Sequence, residues 1–61
     1  MKLVELQRHL RRCSCVPYRE GGSHSVWLNV RNNKIAGVPR HREIKEGTLR
    51  AICKQLEIPM P

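Results

Sequence analysis

Sixty-one residues, twelve Lys and Arg against five acidic residues and a formal net charge of +7 describe one small, basic domain spanning 1–61. A chain of this length buries only ~60% of its unfolded surface. That excludes a deep substrate cavity, and no run approaches the ~18 apolar residues needed to span a bilayer. The positive field attracts polyanions, and nucleic acid is the natural one. The basic N-terminal stretch does not read as a secretory leader, and three cysteines with Cys13 and Cys15 nearly adjacent do not read as a disulfide framework. A cytoplasmic, reducing location is therefore expected.

Leu3, Leu6 and Leu10 recur at helical spacing and predict a first helix over 2–12. Residues 15–19 read as extended, with Pro17 restricting that strand to an edge or an irregular pairing. Gly21-Gly22 makes a tight turn. Ser23 to Val30 alternates, placing Val26, Leu28 and Val30 on one face, read as the buried one, with Ser25, Trp27 and Asn29 on the other. Trp27 then reads as an interface residue of open role, able to stack on a base or to pack under a partner or a helix. Arg31 to Lys34 suits a tight turn because Asn tolerates positive φ. Ile35 to Val38 forms a third strand ended by Pro39, and 40–45 is a polar loop. Leu49, Ile52, Cys53 and Leu56 define a second amphipathic helix, and the prolines beyond Ile58 close it. The expected fold class is α+β: a two-layer sandwich, order α-β-β-β-α, with an antiparallel three-stranded sheet.

Gly22-Ser23-His24, Val38-Pro39-Arg40-His41 and Gly47-Thr48-Leu49-Arg50-Ala51-Ile52 with Lys54 fall in register on these elements, with Arg19 three residues ahead of the first motif. Together they resemble the HicA toxins, over nearly the whole chain. Ser14-Cys15 stand where the family commonly has glycine and a large aromatic, and Ser25 where a second histidine is common. The resemblance implies a fold like a double-stranded-RNA-binding domain. It also implies an endoribonuclease acting on mRNA through His24, with no metal or other cofactor, and a HicB-type antitoxin partner that covers the active site.

Histidine suits the chemistry, because RNA carries its own 2′-hydroxyl nucleophile and needs only proton transfers near neutral pH and charge balance at phosphorus. His24 is the expected general base or acid. Its parity with Val26 points it toward the supposed helix-covered face, so its ring is expected to emerge at the sheet margin or to be redirected by a bulge at the glycines. Gly22 and Ser23 lie where RNA approaches His24. Arg19, Arg31, Lys34, Arg40, Arg42 and Lys45 are candidate phosphate contacts. The second proton-transfer group is left open: His41 comes near His24 if the third strand pairs with the second, but reads first as a phosphate contact or a solvated side chain. The C-x-C spacing of Cys13 and Cys15, with no second close pair, argues against zinc. A non-catalytic RNA-binding module of the same fold is the alternative. The second helix, with Glu46 and Glu57 beside Arg50 and Lys54, makes a poor DNA-recognition helix.

Overall fold

The computed structural model describes residues 1–61. Its order is α1 (Leu3–Arg12), β1 (Cys15–Glu20), β2 (His24–Asn29), β3 (Lys34–Pro39) and α2 (Glu46–Leu56). The three strands form one antiparallel sheet in the order β1-β2-β3. This is the expected α-β-β-β-α architecture. Pro17 lies on an edge strand, and the register of β1 against β2 slips between Pro17 and Arg19. Tyr18 is the extra residue of that bulge, next to the proline that has no N–H for the ladder.

The helix stripes are buried as their spacing predicts: Leu6 and Leu10 from α1, and Leu49, Ile52, Cys53 and Leu56 from α2. The buried face of β2 is the reverse of the expected one. Trp27 and Asn29 are 3% and 2% exposed, whereas Val30 is 54% exposed and lies beyond the strand's end. Across the ladder, Trp27 and Ser25 face the buried Ala36 and Val38, while Leu28 faces Ile35, which is exposed. Trp27 is therefore a core residue under the helices and offers no surface for a base. The Arg11 guanidinium lies over its ring, 5.4 Å from the centroid, a distance at which the cation is attracted to the ring face.

Asn29 explains why a polar residue occupies the core face. Its Nδ2 donates to Leu56 O at 2.8 Å, and its Oδ1 accepts from Arg31 N at 3.0 Å. The side chain thus ties the C-terminal end of α2 to the β2–β3 turn and satisfies a carbonyl the helix leaves open. Asn32 Nδ2 donates to the same carbonyl at 3.1 Å, and Asn33 adopts the positive φ, 62°, expected of this turn. Pro39 belongs to β3 and does not end it early.

The 40–45 segment is less free than a polar loop. Ile44 is 2% exposed and joins the core. Ile44 N donates to Met1 O at 2.7 Å and Leu3 N donates to Arg42 O at 2.9 Å, pinning the segment to the start of α1. His9, on α1, has a structural task, since its Nε2 donates to Pro59 O at 2.7 Å and anchors the C-terminal tail. The three cysteines are free. Burial pushes the Cys15 and Cys53 thiols above their usual range.

Candidate functional site

With the sheet face inverted, His24 keeps its parity with Val26 and Leu28 but stands on the side away from the helices. It opens β2, is exposed, and lies opposite Pro39. Ser23 Oγ and His24 Nδ1 share a hydrogen bond at 3.0 Å, which engages one ring nitrogen. Gly37 lies diagonally across on the same face. A Cβ there would sit 3.7 Å from His24 Cδ2, an ordinary contact distance, so the imidazole lies directly over this glycine. A Cβ on Gly21 would come within 3.2 Å of His24 O, whereas one on Gly22 would meet nothing within 4 Å. Gly21 is thus the tighter position, where a side chain would push the facing backbone by a few tenths of an ångström, and Gly22 presents bare, open backbone beside the histidine.

The turn carrying His24 is held at three points. Gly21 N donates to His24 O at 2.9 Å, and Arg40 N donates to Ser23 O at 3.3 Å. The third is the Arg40 side chain, which pairs with the Glu20 carboxylate and donates to Gly21 O at 2.7 Å. Its Nε also donates to Ser25 Oγ at 3.3 Å, and Ser25 Oγ donates to Glu20 Oε2 at 3.0 Å. One guanidinium therefore gathers the end of β1, the glycine turn and the start of β2.

The expected site residues separate into groups. His24, His41 and Lys45 line one cleft of about 370 Å³ with Gly37, Pro39 and Thr48. Arg19 faces Val26 across the ladder, on the same sheet face as His24 and diagonal to it. Arg42 lines a different hollow, with Lys2, Leu3, Val4 and Gln7. Lys34 pairs with Asn29 in the ladder, at the end of the sheet opposite His24. At ~3.4 Å per residue, that is about 17 Å along the strand. Arg31 lies in the same turn, and Lys34 Nζ stands 3.9 Å from Glu57. Arg19, Arg31, Arg42 and Lys45 have no carboxylate partner, whereas Arg40 and Lys34 do. Gly37, Thr48, Glu20 and Ser25 also belong to the site or its frame, with no role assigned to them by sequence. Strand register, with Gly37 diagonal to His24, is the signal that points to the first.

Beyond the cleft, the open sheet face is apolar. Val16 and Ile35 are 39% and 49% exposed, and Val26 and Leu28 between them are half-buried. The same face therefore carries a polar, histidine-bearing margin and an uncovered aliphatic centre.

A family model described as HicA toxin of bacterial toxin-antitoxin matches residues 4–58. The chain belongs to the HicA toxin family. Its members are toxins of toxin–antitoxin systems, so a cognate antitoxin partner is implied. No curated protein and no solved structure gives a significant match to the chain. No helix is long and apolar enough to cross a membrane.

Proposed function

We propose that this HicA-family chain is a metal-independent endoribonuclease, an mRNA interferase, in which His24 moves a proton during cleavage. The observation that carries the reading is the setting of His24: an exposed imidazole, engaged by Ser23 and lying over Gly37, at the rim of a cleft that also holds Lys45. In this reading the 2′-hydroxyl of RNA attacks the adjacent phosphorus, the P–O5′ bond breaks, and a 2′,3′-cyclic phosphate and a 5′-hydroxyl result. Lys45 balances charge on the non-bridging oxygens. Arg19 and the bare backbone at Gly22 and Ser23 receive the strand on the His24 face. Arg31, Lys34 and Arg42, farther off, add phosphate contacts that lengthen the footprint. Arg40, whose guanidinium is engaged by Glu20 and Gly21, serves the site by holding the turn.

The antitoxin in this reading is a HicB-type protein that lies over the open sheet face. Aliphatic surface at Val16, Leu28 and Ile35 supports such a contact, because a partner seated there also covers His24. The working location in this reading is the cytoplasm of a bacterium or archaeon, where mRNA and antitoxin are found together.

Mapping the ends of the products tests the chemistry. Purified protein incubated with a defined single-stranded RNA is expected to yield fragments ending in 2′,3′-cyclic phosphate or the 3′-phosphate derived from it. Fragments carrying 5′-phosphate and 3′-hydroxyl ends would refute the 2′-hydroxyl route. Salt-sensitive binding without cleavage would support the RNA-binding module instead.

A further inference from the structure

Cleavage through the 2′-hydroxyl needs two proton transfers, one from the nucleophile and one to the leaving oxygen, and a single histidine cannot make both at once. His41 shares the cleft with His24. It follows Pro39 by two residues, Pro39 faces His24 in the ladder, and Arg40 N continues that pairing to Ser23 O at 3.3 Å. Residue 41 lies just past the end of β3, and its place in the cleft that His24 lines sets the two side chains at one margin of the sheet. The cleft of about 370 Å³ has both imidazoles in its lining. Two groups that each reach a phosphodiester oxygen over about 3 Å, on opposite sides of one phosphorus, must line a common cleft, as these two do.

We propose that His24 and His41 form a proton-transfer pair across the scissile phosphodiester, an assignment that rests on the ribonuclease reading above. One imidazole takes the 2′-hydroxyl proton as the O2′–P bond forms, and the other, as imidazolium, delivers a proton to O5′ as the P–O5′ bond breaks. The pair ends with its protonation reversed, and exchange with solvent at two exposed rings restores it. Lys45 and the Thr48 hydroxyl, in the same lining, receive the non-bridging oxygens. The charged groups around His41 are His24 from β2, Arg40, Arg42, Glu43 and Lys45 from its own loop, and none from α2, which contributes the neutral Thr48.

The experiment compares wild type, His24→Ala, His41→Ala and His41→Lys on a short RNA and on the same RNA with sulfur bridging at the 5′ position, a leaving group that needs no proton. His41 is exposed, and circular dichroism checks that its variants fold. The proposal predicts a His41→Ala loss of about 100-fold or more in kcat with KM within a few-fold. It also predicts loss of one limb of the wild-type bell-shaped pH profile and no rescue by lysine. Sulfur should restore cleavage to only one of the two alanine variants, the one lacking the proton donor. A His41→Ala effect confined to KM, repaired by His41→Lys with both pH limbs intact, would overturn the pair and leave His41 a phosphate contact. If that happens while His24→Ala is still inactive, only the pairing fails; a wild type that cleaves neither substrate overturns the ribonuclease reading along with it.

Discussion

Glu20→Gln separates two roles that Arg40 can play. In the structure, Arg40 grips Glu20, Gly21 O and Ser25 Oγ, and so holds the turn from which His24 projects. The Arg40 and Glu20 side chains are 44% and 65% exposed. A pair so accessible contributes about 0–1 kcal/mol. Breaking it should lower Tm by no more than roughly 4–8 °C in a domain of this size. Activity should suffer more, because a shift of about 1 Å in a reacting group costs on the order of 100-fold. The expectation for both Glu20→Gln and Arg40→Ala is a fall of about 10- to 100-fold in kcat, a small change in KM and a folded protein. Steady-state cleavage of a fluorogenic RNA across a salt series, with thermal melts alongside, measures all three. If Arg40 instead served as a phosphate ligand, Glu20→Gln would free it. Unchanged or increased activity in Glu20→Gln, with Arg40→Ala raising KM and flattening the salt dependence, would refute the positioning argument.

The packing around the site and in the core supports three more tests. Gly37→Ala adds a Cβ at ordinary contact distance, 3.7 Å from His24 Cδ2, and should keep activity within a few-fold. Gly37→Val pushes the ring off its rotamer, at a cost of about 0.5–1.5 kcal/mol, and should lower kcat about 10-fold in the same cleavage assay. Asn29→Ala removes one buried and one part-buried hydrogen bond but leaves Leu56 O bonded to Asn32. Denaturant titration should show a loss of about 2 kcal/mol, and adding Asn32→Ala should cost more than the sum of the single effects. Burial raises the folded-state pKa of Cys15 and Cys53, so their contribution to stability is complete below the unfolded thiol pKa and falls as pH rises past it. Tm should therefore drop on the alkaline side of about pH 9, and less so in Cys53→Ala, as thermal melts from roughly pH 7 to 10 would show.

Much of the architecture was legible because helices announce their buried face by spacing. Leu6, Leu10, Leu49, Ile52, Cys53 and Leu56 all lie where the helical period puts them. Pro17 identified an edge strand, and the Asn pair identified the β2–β3 turn. The face of β2 was not legible. Period two fixes which residues share a face but not which face is covered, and the aliphatic set looked more core-like than Ser25, Trp27 and Asn29. Two facts outside that window decide it: Trp27 is the bulkiest filler available, and the Asn29 amide finds a helix carbonyl to satisfy it. Once the face is inverted, the awkward placement of His24 disappears. Ile44 was hidden for a similar reason, as a single apolar residue in a polar stretch whose burial depends on backbone bonds to the start of α1. Ser14 takes a positive φ of 65°. A serine does not announce that backbone demand, as a glycine would have done. Within the candidate site, local motifs pointed to His24 and His41, whereas Gly37, Thr48 and the Glu20–Arg40 pair emerge only from register and chain crossing.

His24 is the residue on which the proposed activity depends most. The most direct measurement is cleavage of RNA by purified protein in excess EDTA, with His24→Ala prepared in parallel and shown to be folded by circular dichroism. Cleavage by the native protein that falls by about 100-fold or more in the folded variant is the predicted result. Equal cleavage by both proteins, or cleavage that EDTA abolishes, would contradict it.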